Sequence, residues 1–292
     1  MIRSCLGSLR STGVSVIVAA IGATATAGCS TSGFHSRGPH RPASYAVRPS
    51  ADEIAADQRL LDQPFALAVP DDAIVRLVGP SMTCTGTLIS SDLVLTAHHC
   101  VVERGARGEF LTKLVEASQV KVELGGDDFA WGEVNARAIV APPCGERGGA
   151  GDVAVIVLKR KLVGVPTKTV RLDGPPKIGE EVKPVGFGRC ALSTDAIHRR
   201  ERTGGTIRAL TSETIHLDAS VCPGDSGGPV FLKDTQEILG VVSLSAMDHD
   251  ERTTGASVMA RIDAYRSVFQ HASLIADGVE PNELPPLECP TK

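Results

Sequence analysis

The sequence has few aromatic residues and no dense run of charges of one sign. Tryptophan, tyrosine and phenylalanine make up 3% of its 292 residues, which argues against an aromatic surface that stacks on single-stranded nucleic acid. The formal net charge is -4 and the lysines and arginines are not clustered, so nothing indicates a nucleic-acid partner. Hydrophobic residues, at 42%, are sufficient for a folded core. The 30 glycines and 18 prolines favour a loop-rich β protein over a helical one.

The N-terminal apolar run is short for a membrane span. Arg3 and Arg10 precede a run from Val14 to about Ala23, whereas a spanning helix needs about 20 residues. The pattern is typical of a secretory signal peptide, which we predict over residues 1–28. Its end resembles the lipobox of bacterial lipoproteins, in which a cysteine, here Cys29, is lipidated, although threonine stands where leucine is usual. Lipidation, plain secretion and an uncleaved anchor all stay open, and each exports the rest of the chain.

Three further regions follow the signal peptide. Residues 29–64 are predicted to be a flexible tether with a short helix that starts at the capping-box pattern of residues 50–53. From residue 65 to 278, short apolar or alternating runs between turn residues predict an all-β domain. Its last segment has apolar residues at three- and four-residue steps before Gly278, which predicts a C-terminal helix. These residues are Ile262, Tyr265, Val268, Phe269, Ala272 and Ile275. The Pro-rich tail, 279–292, is predicted to be irregular.

The strongest chemical signal is the segment from Cys222 to Pro229, which reads C-P-G-D-S-G-G-P. A serine hydroxyl is a weak nucleophile that needs a base, and its reaction with a carbonyl also needs donors for the oxyanion. Glycines around Ser226 let the backbone turn sharply and expose N–H groups, of which those of Gly224 and Ser226 are the natural donors. By itself the string could also be an ordinary Gly-rich turn.

Two other segments offer a base and a carboxylate. The run L-T-A-H-H-C ends in His98, His99 and Cys100, and histidine exchanges protons near neutral pH. Neighbouring histidines on a strand point to opposite faces, so these two are not expected to act together. Asp152 heads the apolar run G-D-V-A-V-I-V-L, where a half-buried charge needs a partner. By itself, either histidine could be a structural residue or a metal ligand, and Asp152 could be an aspartate of an ordinary turn.

Together the three segments resemble the trypsin/chymotrypsin family of serine peptidases, over roughly Ala73 to Ile275. They are similar to its T-A-A-H-C, D-I-A-L and C-x-G-D-S-G-G-P motifs, in the same order, and G-F-G at 186–188 is similar to its G-W-G turn. The resemblance implies two six-stranded antiparallel β-barrels and peptide-bond hydrolysis through an acyl-enzyme. It implies His99 as the base, Asp152 as the group that orients it, and Ser226 as the nucleophile.

The resemblance also assigns residues to the substrate pocket. Ser243 matches the serine that supports the aspartate and opens the substrate-binding edge. Ser220 lies at the pocket base, where an aspartate would select arginine or lysine, and Ser245 with Ser257 or Gly255 would form the walls. Side chains in place of glycine would narrow the pocket, which favours a small or medium uncharged residue before the cut, although Asp218 or Asp248 could supply a negative charge.

Two features depart from the family. The activation sequence I-V-G-G is absent upstream of Cys84, so Asp225 needs another cation if it is buried, and Arg189 is the candidate.

The cysteines are the second departure. The family's disulfide beside the histidine implies that Cys84 pairs with Cys100. No cysteine follows Ser243 where the family has one, so Cys190 is the better partner for Cys222. This leaves Cys144 to pair with Cys289.

The sequence thus predicts an exported serine endopeptidase that acts on protein or peptide substrates. It is expected to be a monomer, to touch the membrane only through the lipid anchor, and to need no cofactor or metal. A protease-fold binding protein without activity and an acyl hydrolase such as an esterase are the alternatives. Esterases more often carry G-x-S-x-G with histidine last in the chain, whereas here histidine comes first.

Overall fold

The computed structural model describes residues 69–125, 130–189, 197–247 and 253–289, all of which lie in one compact unit spanning 59–292. Nothing is described of the side chains of residue 247 and residues 253–255. The predicted signal peptide, Cys29 and the whole of the tether lie outside the described residues. Within the described ranges, no helix is long and apolar enough to cross a membrane.

The described residues form fifteen strands and one α-helix. In chain order they are β1 (Ile74–Val78), β2 (Thr83–Leu88), β3 (Leu93–Thr96), β4 (Val102–Arg104), β5 (Phe110–Leu114), β6 (Lys121–Gly125), β7 (Ala130–Val140), β8 (Ala154–Leu158), β9 (Val182–Gly186), β10 (Arg200–Glu201), β11 (Gly204–Leu210), β12 (Thr214–Ala219), β13 (Pro229–Leu232), β14 (Ile238–Met247), β15 (Thr253–Arg261) and α1 (Arg266–Ala276).

Six of the first eight strands close a barrel in the order β1-β2-β3-β8-β7-β6, and β4 and β5 form a separate hairpin after the histidines. All five residues of β8 are buried because the strand has a core on each side. Ala154, Ile156 and Leu158 fill the barrel. Val155 and Val157 face a second core that the barrel shares with the rest of the domain. Since successive side chains of a strand alternate in direction, two apolar faces produce the unbroken apolar run that follows Asp152.

The second half is a seven-stranded sheet in the order β10-β9-β13-β14-β15-β12-β11. Its two sides approach each other, because an antiparallel bridge joins Glu181, just before β9, to Thr206 on β11. The Ile207 amide also donates to the Glu180 carbonyl at 3.0 Å. The predicted all-β fold with two antiparallel barrels is therefore confirmed, except that the second is a curled sheet of seven strands and not a closed barrel of six.

The C-terminal helix packs its apolar stripe against the shared core. Val268, Phe269, Ala272 and Ile275 of α1 are buried there. The helix stops as predicted, with Gly278 at φ 105° and its amide donating to the Ile275 carbonyl at 3.0 Å. Two of the six residues used to predict it lie before α1, because Tyr265 ends a short 3-10 turn and Ile262 precedes that turn.

Candidate active site

His99 and Asp152 form a buried pair at the edge of the first barrel. The Nδ1 atom of His99 lies 2.7 Å from Asp152 Oδ2, and the His99 backbone amide donates to Oδ1 at 2.8 Å. The exposed fraction of the side chain is 3% for His99 and 0% for Asp152. The antiparallel pair of β3 and β8 aligns Thr96 with Ala154, which brings the residues after one strand beside those before the other. Two contacts from one carboxylate fix both the ring and the backbone of the histidine.

Ser243 supplies the third contact to Asp152. Its hydroxyl, on β14 of the second sheet, donates to Asp152 Oδ2. Burial alone would raise the pKa of Asp152, but the His99 charge and the hydrogen bonds from His99 and Ser243 outweigh it and hold that pKa below its usual value. Asp152 therefore stays ionised, as a group that stabilises a charged imidazole must.

His98 occupies a different environment from the one expected of a strand. The strand ends at Thr96, and His98 and His99 both lie in a 3-10 turn, His98–Val101, where both side chains are buried. Among the described residues His98 Nδ1 has no hydrogen-bond partner. Burial, which outweighs the attraction of Asp152, lowers the pKa of His98 and is assisted by the charge of His99. Within the described ranges, no carboxylate hydrogen bond orients the His98 ring as Asp152 orients that of His99.

Ser226 lies next to the His99 segment. Its carbonyl oxygen accepts a hydrogen bond from the Thr85 amide at 2.8 Å and lies 3.6 Å from Cys100 Sγ. Gly227 makes this approach possible, because a Cβ there would lie 2.1 Å from Thr96 Oγ1. In the described structure no hydrogen bond joins Ser226 Oγ to His99 Nε2. Such bonds often tighten only in the substrate complex.

The turn around Ser226 leaves two amides unused. The amides of Asp225, Gly227 and Gly228 donate to protein carbonyls at 3.0, 2.8 and 2.8 Å. Within the described ranges, the amides of Gly224 and Ser226 have no protein acceptor. These are the two donors that the sequence predicted for an oxyanion, and they remain available to a ligand.

The cation that meets Asp225 is Arg202, and the prediction of Arg189 in this role is wrong. Arg202 Nη2 lies 2.8 Å from Asp225 Oδ1 and Nε lies 2.6 Å from Oδ2, with 8% and 0% of the two side chains exposed. Arg202 reaches the site because β10 pairs with β9, so that its amide donates to the Pro184 carbonyl at 2.8 Å. Arg189 follows the G-F-G turn, and its amide donates to the Pro223 carbonyl at 2.9 Å.

Two of the predicted pocket serines, Ser245 and Ser257, lie together on the β14–β15 pair and contact the segment before the nucleophile. Ser245 and Ser257 face each other across the two strands. Ser257 Oγ donates to the Ala219 carbonyl at 2.7 Å, and Ser245 Oγ lies 3.4 Å from the Val221 carbonyl. Ser257 is buried and Ser220 is exposed, whereas nothing is described of residue 255 beyond its strand. A cavity of about 350 Å³ is lined by Ser245, Ser257 and their neighbours.

Asp218, one candidate for a negative charge in the pocket, is already paired. Its Oδ2 lies 2.6 Å from Arg208 Nε. The other candidate, Asp248, lies outside the described residues.

Two of the predicted disulfides are present. Cys84 is bonded to Cys100, with Cα atoms 6.1 Å apart, and Cys144 is bonded to Cys289, with Cα atoms 5.8 Å apart. Cys222 is also disulfide-bonded. Its predicted partner Cys190 lies outside the described residues, so that pairing stays a prediction.

The sulfurs of Cys84 and Cys100 lie with a ring nitrogen of His99 inside 4.8 Å, a grouping that could suggest a metal site. A metal needs thiolates and a free imidazole nitrogen. Here the sulfurs are bonded to each other, so neither is a thiolate that could bind a metal. The donor set does not suit a metal ion.

Sequence reasoning missed Phe110, an exposed aromatic residue beside the histidine. Its ring centroid lies 4.8 Å from that of His99, and the guanidinium carbon of Arg104 lies 3.7 Å from the Phe110 centroid. The β4–β5 hairpin brings Phe110 back over the histidine, and no local pattern in the sequence announces this contact. It also missed Arg202, because only the pairing of β10 with β9 brings that residue to Asp225.

The two-barrel topology and the three motifs are those of a chymotrypsin-like serine protease. The model of the trypsin family matches residues 68–269, more than half of the chain, and the chain belongs to this family. An uncharacterized peptidase of Corynebacterium glutamicum is 26% identical over 221 residues, which are 70% of this chain and 67% of that protein. Serine protease SP24D of Anopheles gambiae is 30% identical over 188 residues, covering 58% of this chain and 65% of that protein.

Two solved structures share the fold at low sequence identity. A Glu endopeptidase superposes with a TM-score of 0.54 and 19% identity over 72% of this chain and 93% of its own. Mouse neuropsin, a serine protease, superposes with a TM-score of 0.53 and 18% identity over 70% of this chain and 97% of its own. Family and relatives support a serine protease, whose substrates are proteins or peptides.

Proposed function

We propose that this protein is a serine endopeptidase in which Ser226, His99 and Asp152 act as nucleophile, base and orienting carboxylate. In the first step Ser226 Oγ attacks the scissile carbonyl, and its proton passes to His99 Nε2. Asp152 stabilises the resulting imidazolium, while the amides of Gly224 and Ser226 donate to the oxyanion. The imidazolium then protonates the leaving amine, and water hydrolyses the acyl-enzyme by the same route. The observation that carries the proposal is the fully buried Asp152, whose carboxylate contacts both the ring and the backbone of His99 beside the Ser226 turn.

A fluorophosphonate probe tests this assignment. We expect labelling of the wild type, loss of labelling in Ser226→Ala, and unchanged labelling in Ser273→Ala, which removes an exposed hydroxyl from α1. A folded wild type that neither reacts with the probe nor cleaves peptides would favour a binding protein on this fold. Hydrolysis of esters without any cleavage of peptides would favour the acyl hydrolase.

The pair of Arg202 and Asp225 supports an enzyme that needs no proteolytic activation. Both groups are internal to the folded chain, so the Ser226 turn has its counter-ion without a newly cut N-terminus. Purified protein with an intact tether should therefore cleave peptides at its full rate. Activity that appears only after cleavage upstream of residue 74 would refute this part of the proposal.

We further propose that the enzyme prefers a small or medium uncharged residue before the cleaved bond. The hydroxyls of Ser245 and Ser257 occupy space that glycines would leave open, Ser220 carries no charge, and Asp218 is paired with Arg208. Cleavage-site profiling on a proteome-derived peptide set tests this preference. A strong preference for arginine or lysine would contradict it.

Export and lipidation at Cys29 complete the proposal. Two intact disulfides are consistent with an oxidising compartment. Mass spectrometry of the mature N-terminal peptide distinguishes a lipid on Cys29 from plain signal-peptide cleavage, and Cys29→Ser is the control. Peptide mapping of the oxidised protein tests the pairing of Cys190 with Cys222.

A further inference from the structure

The segment directly before Asp152 is a glycine-rich loop, residues 144–151, which we call the Asp152 loop. Four of its residues have left-handed φ angles between 64° and 93°: Gly145, Gly148, Gly149 and Gly151. Glycine loses more backbone freedom on ordering than other residues, so such a loop does not hold one conformation by itself. The disulfide of Cys144 fixes its far end to Cys289. The end next to Asp152 needs a separate fastening.

Tyr265 and Glu213 provide a polar chain at that end. The Gly151 amide donates to Tyr265 Oη at 2.6 Å, and the Tyr265 hydroxyl donates to Glu213 Oε2. Only 2% of Tyr265 and 8% of Glu213 is exposed. Arg147, within the Asp152 loop, lies 3.6 Å from the same Glu213 carboxylate. One buried carboxylate therefore contacts the loop twice, once directly and once through the tyrosine.

The polar chain of Gly151, Tyr265 and Glu213 connects the two halves of the domain. Glu213 lies between β11 and β12 of the second sheet, and the Arg261 amide at the end of β15 donates to its carbonyl at 2.8 Å. Tyr265 lies in the 3-10 turn before α1. The Asp152 loop, by contrast, connects β7 and β8 of the first barrel. The second half thus holds the loop from which the first barrel presents Asp152 to His99.

We propose that Tyr265 and Glu213 are positioning residues for Asp152, an inference that rests on the proposed function. Neither contacts the groups of the proposed triad; both act through the Gly151 amide, one residue before the carboxylate. Burial, together with the hydrogen bond to Glu213, raises the pKa of Tyr265 well above its usual range. The hydroxyl therefore keeps its proton throughout the working pH range and remains a donor to Glu213 while it accepts from Gly151.

Tyr265→Phe is the direct test, because it keeps the buried ring and removes only the hydroxyl. The Gly151 amide and the Glu213 carboxylate each lose a partner. We expect kcat to fall by about tenfold or more, because a shift of the Gly151 backbone misplaces Asp152, with KM within about twofold of wild type. The far-downfield proton resonance of the His99 Nδ1–Asp152 hydrogen bond should broaden or shift, a change that a loss of stability elsewhere would not cause.

One control variant and two variants of Glu213 complete the test. Phe269→Leu reduces packing in the shared core, and it should lower the thermal midpoint without changing the downfield resonance or kcat. Glu213→Ala should reproduce the loss seen in Tyr265→Phe. Glu213→Gln keeps an oxygen that accepts from Tyr265, so it should retain most of kcat.

The proposal is overturned if Tyr265→Phe keeps both kcat and the downfield resonance of wild type, or if Phe269→Leu loses kcat to the same extent. If Tyr265→Phe does not fold, the contrast between Glu213→Ala and Glu213→Gln decides, and equal behaviour of these two overturns it. If the wild type shows no activity or probe labelling, the proposed function fails. The downfield resonance then still decides whether Tyr265 and Glu213 position Asp152.

Discussion

Replacing Arg202 with methionine tests how the turn that carries Ser226 is held. Asp225 is fully buried and receives four contacts: amides of Gly188 at 2.7 Å and Cys222 at 2.8 Å, and two guanidinium nitrogens of Arg202 at 2.8 and 2.6 Å. Methionine fills similar volume but leaves the carboxylate with the two amides only. The guanidinium also donates to the Gly188 carbonyl, so a second acceptor loses its partner.

The loss of folding stability expected in Arg202→Met follows from the burial of the pair. Removing one partner of a buried ion pair costs about 3–5 kcal/mol, because the other charge is left uncompensated. The two amides that remain each contribute about 1.5–3 kcal/mol to a charged acceptor, so we expect a loss near the lower end, about 3 kcal/mol. The turn should also relax, which would misplace the Gly224 and Ser226 amides and slow probe labelling at Ser226.

Arg208→Met is the matched control. It removes the same side chain from an ion pair with Asp218 in which 62% of the arginine and 58% of the aspartate is exposed. Exposed pairs contribute about 0–1 kcal/mol, so its urea midpoint, followed by circular dichroism, should change little. The double variant Arg202→Met/Asp225→Asn removes the uncompensated charge and should recover part of the lost stability. If Arg202→Met has the same urea midpoint and the same rate of probe labelling as Arg208→Met, the assigned role of the buried pair is wrong.

Three other predictions concern acid stability and specificity. Ser243→Ala removes a hydrogen-bond donor from Asp152, one of the contacts that lower the pKa of its carboxyl. This lowered pKa contributes stability that is present above pH 3.8 and is lost as the pH falls through the pKa of the folded state. The variant should therefore unfold at a higher pH than wild type in an acid titration. Burial lowers the pKa of His98 from 6.5, so as the pH falls this histidine is protonated in the unfolded chain before it is protonated in the folded one. Wild type should therefore lose stability below pH 6.5, and His98→Ala should lose less. Parallel curves of unfolding free energy against pH for the two proteins would contradict this. Ser257→Gly should broaden the peptide-library profile toward larger residues before the cut, and an unchanged profile would show that Ser257 does not line the pocket.

The fold could be predicted because its signals are local. The apolar run after Asp152 marks a strand between two cores, and the stripe before Gly278 marks the helix. The start of the helix is not readable from the same pattern, because Ile262 and Tyr265 continue the apolar periodicity without being helical: the chain makes a 3-10 turn before α1 begins. The bridge between Glu181 and Thr206, which joins the two sides of the second sheet, has no signal in the sequence because it is set by long-range pairing.

The counter-ion of Asp225 shows where prediction from motifs stops. A cation was required by the burial of the aspartate, and this requirement could be argued from the sequence. Which arginine meets it depends on the pairing of β10 with β9, two short strands separated by a loop. Arg189 is nearer in sequence to the G-F-G turn, but Arg202 is the residue that this pairing delivers. The polar chain from Glu213 to Gly151 depends in the same way on contacts between distant segments.

The contacts at the candidate site share a feature that explains why both halves of the fold are needed. Ser243 of the second sheet donates to Asp152 of the first barrel. In the opposite direction, Thr85 of the first barrel holds the turn of the second: its amide donates to the Ser226 carbonyl at 2.8 Å and its hydroxyl to the Gly224 carbonyl at 2.7 Å. Each half thus presents one part of the proposed triad and secures the part presented by the other. A shift between the halves would change the distance between Ser226 and His99 before either half unfolds, so activity should be more sensitive to the interface than secondary structure is.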